Sequence, residues 1–157
     1  QSLLQRRKWA ATIHVHVGRV KNINNVMAKS NAIHVAVGVI ENTDGAIFIS
    51  RRHQHLHQGD KWEFPGGKVE ADESVYDALC RELQEECNIQ VTSATPFTVI
   101  QFDYPDKSVI LDVWHVHSFT GTVHQREGQE WRWVDRSELE AYPFPEANTR
   151  IVNLLAT

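Results

Sequence analysis

Glu82, Glu85 and Glu86 fall within five consecutive positions of the stretch RELQEECNI. At offsets i, i+3 and i+4 they share one side of a helix, within an arc of roughly 100°. Like charges at i,i+4 repel by about 0.2–0.5 kcal/mol even when exposed, and the stretch offers no cation for each acid. Gathered carboxylates of this kind suit hard-cation chemistry. They would ligate Mg2+ or Mn2+, and the ions would in turn balance the charge of substrate phosphates. A solvated helix face can also be acidic, so the positions around the three glutamates decide between the two readings.

Those positions are fixed at both ends. Gly67 is followed after five residues by Glu73, and after seven more by Arg81, Glu82, Leu83, Gln84, Glu85, Glu86, Cys87, Asn88 and Ile89. The pattern resembles the Nudix box, G-x5-E-x7-R-E-U-x-E-E-x-G-U with U apolar, and matches eight of its nine defined positions. Asn88 departs from it, standing where the family has glycine. The residue just past a helix often takes a left-handed conformation, which asparagine tolerates next best. The resemblance implies a general base at Glu82 and metal carboxylates at Glu85 and Glu86. It also implies a further ligand in the Gly67 carbonyl and a phosphate contact at Lys68. Arg81 would pair with Glu73 and orient Glu82.

Beyond the box, the segments AVGVI, FISRR, KWEFPGGKVE, RELQEE, EGQ and FPEAN resemble the MutT-type branch of the family in order and spacing, over residues 32–155. That branch hydrolyses 8-oxo-dGTP to 8-oxo-dGMP and pyrophosphate, by attack at the β-phosphorus. The resemblance implies that Arg52 contacts phosphate, that Glu127 adds a metal carboxylate from a loop outside the box, and that Phe64 and Asn148 line the base site.

Asn148 would matter most for specificity. Its amide carries a donor and an acceptor, matching 8-oxoguanine, where N7 bears a hydrogen and O6 still accepts. Guanine presents only acceptors on that edge. A buried donor facing the wrong group costs about 1–3 kcal/mol, a sizeable but incomplete filter. Asn148 would equally serve as the N-cap of a helix over TRIVNLL.

Other residues stay open between functional and structural readings. Asp106 and Lys107 occupy the loop where the MutT branch has an acidic and then a basic residue near substrate; a solvated turn is the alternative. Lysine in place of arginine there removes the bidentate contact. His53, His55 and His57 lack a second ligand group at a zinc spacing, so satisfied or exposed histidines are expected. His115 and His117 should share one strand face, with Val116 on the other. Trp62, Trp114, Trp131 and Trp133 are expected as core residues rather than base-stacking ligands. Cys80 and Cys87, seven positions apart on one helix, are expected as free thiols.

The elements that must carry these residues follow from periodicity. AIHVAVGVI and AIFISRR read as strands around the hairpin-like turn ENTDG, and ESVYDALCRELQEEC as a helix with Val75, Leu79 and Leu83 in register. PFTVIQFDYP and SVILDVWHVHSF read as an antiparallel pair, WRWV as a short strand, RSELEAY as a helical turn and ANTRIVNLLAT as a helix. The expected class is α+β, a mixed α/β/α sandwich: the Nudix fold, with a mixed sheet between helices.

At 157 residues and 41% apolar composition the chain fits one domain with a real core. Residues 1–26 hold Arg6, Arg7, Lys8, Arg19 and Lys21 but no acid, which leaves the remainder at −9 of the overall −4. They are expected to form a basic extension outside the domain proper, with the Nudix domain at 27–157 and Met27 as its natural start. A vector-derived remnant, an upstream read-through or a targeting arm would account for them. The acidic body argues against nucleic acid polymers as ligands and for a small nucleoside triphosphate taken with metal. No apolar run is long enough to span a membrane. A cytoplasmic monomer is expected. Two rivals remain: a Nudix enzyme for another nucleotide, such as a cytidine or methylcytidine triphosphate, and a non-catalytic nucleotide-binding module.

Overall fold

The computed structural model describes residues 31–157, so the expectations for the 1–26 extension and for Met27 lie outside the described residues. The chain runs β1 (Ile33–Ile40), β2 (Ala46–Arg51), β3 (Trp62–Glu63), β4 (Gly66–Lys68), α1 (Val75–Cys87), β5 (Gln90–Tyr104), β6 (Lys107–Thr120) and β7 (Trp131–Asp135). A 3-10 helix (Arg136–Ala141) and α2 (Glu146–Leu155) complete it.

Strands form two sheets. The first, ordered β4-β1-β6-β5, is mixed: β1 runs parallel to β6, while β4 and β5 are antiparallel to their neighbours. The second, β3-β2-β7, is wholly antiparallel. A single mixed sheet was the expectation, with β1 and β2 joined as a hairpin. The Asp44-Gly45 turn is present, but only the isolated bridge Glu41–Ile47 links the two strands before each enters its own sheet. The antiparallel pairing of β5 with β6 follows the sequence reading, with register shifts around Ser93 and between Pro96 and Thr98.

Alternation along β1 sorts the core. Val35, Val37 and Val39 face a cluster with Ile47 and Ile49 of β2, Leu111 and Val113 of β6, and Ala147, Ile151 and Val152 of α2. Ala36 and Ile40 face a second cluster with Ala78, Leu79 and Leu83 of α1. The first sheet thus carries α1 on one face and α2 on the other, while the second sheet gives Ile47 and Ile49 to the α2 cluster and Phe48 to the α1 cluster.

α1 is bounded as its sequence dictates. The Ser74 hydroxyl accepts from the Asp77 N–H at 3.0 Å, and Asp77 places an acid in the positive first turn. Asn88 closes the helix in the left-handed region, φ 61° and ψ 35°, its N–H donating to the Gln84 carbonyl at 3.2 Å. Cys80 and Cys87 are free thiols. Among the described residues, no helix is long and apolar enough to cross a membrane.

Candidate active site

The three box glutamates do not share one environment. Glu82 and Glu86, one turn apart on α1, are fully buried, while Glu85 sits at the rim. Both buried carboxylates face the corner between Phe64 and β4. The Gly66 N–H donates to Glu86 Oε2 at 3.4 Å, and a Cβ built on Gly67 would lie 2.2 Å from the Glu82 carboxyl carbon. Only glycine allows the backbone that close. β1 fixes the corner, pairing Ala36 with Gly67 and Val37 with Gly66, and the Gly38 N–H donates to the Pro65 carbonyl at 2.8 Å.

Arg81 ties the box together. Its Nε and Nη2 donate to the Glu73 carboxylate at 2.7 and 2.9 Å, its Nη1 to Glu82 Oε1 at 2.6 Å, and its Nη2 also to the Lys68 carbonyl at 3.1 Å. The Glu73 hydrogen bonds and the Glu82 charge raise its pKa far above the ordinary arginine value, so it stays charged. Glu85 approaches it at 3.6 Å. One buried carboxylate is thereby held in a fixed rotamer against the glycine backbone.

Glu127 lies in the loop between β6 and β7, which is laid across the C-terminal end of α1. The His124 N–H donates to the Cys87 carbonyl at 3.2 Å and the Arg126 N–H to the Glu86 carbonyl at 2.9 Å. Among the described residues, no three His, Cys, Asp or Glu side chains stand as a finished metal cage. The donor set is open: carboxylate oxygens on α1 and a glycine backbone against them. That chemistry fits a hard divalent cation, which completes its shell with water and substrate oxygens.

Phe64 and the α2 helix that carries Asn148 pack on the other face of the first sheet from α1. Phe64 is buried and stacked on Phe144 at 5.3 Å. Asn148 is 1% exposed, and its Nδ2 has no hydrogen-bond partner. It is the third residue of α2, whose cap position belongs to Pro145, so the N-cap reading of Asn148 is overturned. Proline, with φ −55°, is set for a helix start, and Glu146 follows in the positive first turn.

Arg52 is buried and paired with Glu63 at 2.7 Å, its Nε donating to the His57 carbonyl at 2.9 Å. No motif in the sequence singled out Glu63; only the fold brings it to Arg52. Asp106, at the β5–β6 turn, meets His57 Nδ1 at 3.2 Å. Lys107 is half-buried, and burial pushes its ammonium down to about 8, with Asp106 pulling it back and Arg52 lowering it further. Asp106 is exposed, as a solvated turn would have it, and Lys107 is only partly so. Tyr104, beside this turn, accepts from the Ala147 N–H at 3.4 Å, which ties the turn to the start of α2.

The histidines and tryptophans mostly follow expectation. His53 and His55 stack at 5.5 Å, and His115 and His117 share a face at 4.2 Å opposite buried Val116. Trp62 is in the core, but Trp131 is 37% exposed and leans on Phe48, contrary to the core expectation.

A buried pair of helix carboxylates with a glycine corner pressed on them is an arrangement suited to a hydrolase that handles phosphates. A family profile described as NUDIX domain matches residues 36–154. The chain belongs to the Nudix family, whose members depend on a divalent metal. It is 38% identical over 120 residues to the 8-oxo-dGTP diphosphatase of Escherichia coli K12, covering 76% of this chain and 93% of that one. It is likewise 38% identical to the CTP pyrophosphohydrolase of the same organism, over 116 residues, 74% of this chain and 85% of that one. Among solved structures, MutT from work on Aliivibrio salmonicida and Vibrio cholerae superposes with a TM-score of 0.70 at 44% identity. The match covers 80% of this chain and 97% of that one.

Proposed function

We propose that this Nudix hydrolase converts 8-oxo-dGTP to 8-oxo-dGMP and pyrophosphate, clearing a mutagenic nucleotide before it is incorporated. The observation that carries the reading is Asn148: an amide 1% exposed with an unpartnered Nδ2, on the face of the sheet away from the carboxylates. A buried donor without a partner costs about 1–3 kcal/mol, which a guanine-type O6 acceptor would recover, while the Oδ1 of the same amide would accept from the N7–H that 8-oxoguanine has and guanine lacks. The resemblance to 8-oxo-dGTP diphosphatases supports the same choice.

In this reading Glu82 takes the proton of the attacking water, in a rotamer that Arg81 holds. Water oxygen bonds to the β-phosphorus as the bond from that phosphorus to the α,β-bridging oxygen breaks; 8-oxo-dGMP leaves with the bridging oxygen and pyrophosphate keeps the oxygen of water. Glu85, Glu86, Glu127 and the Gly67 carbonyl would hold Mg2+, or Mn2+ in its place; the bound cation supplies Lewis acidity and neutralises triphosphate charge. Lys68 lies beside Gly67 on β4 to meet a phosphate oxygen, and Phe64 backs the base. Arg52, held by Glu63, would act on the phosphates through its charge. The protein would work as a cytoplasmic monomer on free nucleotides, with residues 1–26 dispensable and the domain at 27–157.

A second reading, a cytidine triphosphate pyrophosphohydrolase, is favoured by the equal identity to the CTP enzyme. A non-catalytic module is disfavoured because Glu82, Glu85, Glu86, Lys68 and Glu127 are all retained. Pyrophosphate release from 8-oxo-dGTP, dGTP, CTP and 5-methyl-dCTP with Mg2+ decides. Highest kcat/KM on 8-oxo-dGTP supports the proposal. Preference for a pyrimidine transfers the protein to the second reading, and nucleotide binding without turnover would make it a module.

A further inference from the structure

The loop that carries Glu127 has no regular structure, yet its backbone must be held if a carboxylate on it is to work. Fixing a stretch of free chain costs conformational entropy that its contacts must offset. The loop is tethered to the end of α1 up to residue 126: Val123 is buried with the α1 cluster, His124 and Arg126 donate to helix carbonyls, and Arg126 Nη1 reaches the Gln84 carbonyl at 3.3 Å. Those contacts satisfy carbonyls that a helix end leaves open and place a cation at its negative pole. Glu127 is one residue past the last of them.

Beyond residue 126 the Gln125 side chain reaches forward along the loop. Gln125 Oε1 accepts from the Glu127 N–H at 2.7 Å and from the Gln129 N–H at 3.1 Å, while its Nε2 donates to Gln129 Oε1. Gln125 is 7% exposed and Gln129 6%. We propose that Gln125 is a positioning residue that sets Glu127 for the metal centre; this rests on the reading of Glu127 as a metal carboxylate. The task calls for an acceptor with two lone pairs and, on the same side chain, a donor. Glutamine supplies both, glutamate the acceptor alone, methionine neither. The sequence offered no sign of this, since Gln125 belongs to no motif.

The test uses the full chain and four variants: Gln125→Met, Gln125→Glu, Glu127→Gln and the double Gln125→Met/Glu127→Gln. Affinity for Mn2+ alone is read by electron paramagnetic resonance, kcat and KM with Mg2+ and 8-oxo-dGTP, and amide hydrogen exchange at Glu127 and Gln129. Gln125→Met should weaken Mn2+ binding and lower kcat by about tenfold each with KM within about twofold, as supporting contacts to ligands do. Gln125→Glu, keeping the acceptor, should restore most of both. In the double variant Gln125→Met should add nothing to Glu127→Gln. If Glu127→Gln weakens Mn2+ binding while Gln125→Met does not, the proposal fails and the role of Glu127 stands. If Glu127→Gln changes neither readout, both fail. Unprotected Glu127 and Gln129 amides in the parent protein would also overturn it, whatever the variants' stability.

Discussion

Gly67 and Glu82 are in direct contact across the corner of the site, backbone against carboxylate, with space for no Cβ between them. Glu82 cannot swing aside freely, because Arg81 holds its Oε1 and Arg81 is itself held by Glu73. Gly67→Ala should therefore displace the carboxylate rather than unfold the chain. A displacement near 1 Å can cost about a hundredfold in rate, so kcat for pyrophosphate release should fall by about that factor while the far-ultraviolet circular dichroism stays unchanged.

Glu82→Gln keeps the shape of the side chain and removes its basicity. The expected loss is about a hundredfold to ten-thousandfold in kcat, the range of general-base contributions, with a native melting profile. Near-normal turnover would remove Glu82 from the proton transfer.

The left-handed Asn88 gives a stability prediction of opposite sign to most substitutions. Asn88→Gly should be neutral or stabilising by up to about 1 kcal/mol, since glycine enters that region without strain. Urea denaturation with an unchanged slope measures it, and a clear loss would contradict the cap.

Asn148→Ala removes the amide without touching the α2 cap, which lies at Pro145. The ratio of kcat/KM for 8-oxo-dGTP over dGTP should fall by about tenfold to a hundredfold, following from 1–3 kcal/mol per mismatched buried group. An unchanged ratio would assign discrimination to other groups.

Lys107 makes stability depend on alkaline pH. Between about 8 and its ordinary 10.5, the unfolded chain holds a proton that the folded chain has released. The unfolding free energy should gain a favourable increment as pH rises through that window, and below it the cost of burying the charge is fully present. Lys107→Met should remove the increment. Denaturant unfolding of both proteins across the window, compared as a difference, checks it.

What the sequence disclosed was local. The end signals of α1, Ser74 and Asn88, and the spacing from Gly67 to Glu86 all lie within one short span, so helix and box could be read together. The Asp44-Gly45 turn was equally legible, but the partner of β1 was not. β1 pairs in parallel with β6, some seventy residues downstream, and burial of both faces of β1 outweighs the pull of a tight turn toward a hairpin. The alternative of an N-cap at Asn148 fails because Pro145 and Glu146 begin the helix earlier than its apolar pattern does. The Arg52–Glu63 pair joins residues that the fold brings together, while the Gln125 clamp is local but follows no motif whose spacing would announce it.

α1 with its carboxylates and α2 with Asn148 lie on opposite faces of the four-stranded sheet, and the corner formed by Phe64 and β4 stands between them. In the proposed reading, which letter is read and how the molecule is cut would then belong to two separate helices. A lineage built this way could change its diet by redrafting α2 and the loops near it, leaving the cutting edge inherited intact. Relatives that act on guanine and cytosine nucleotides at matching identity are what such a division of labour would leave behind.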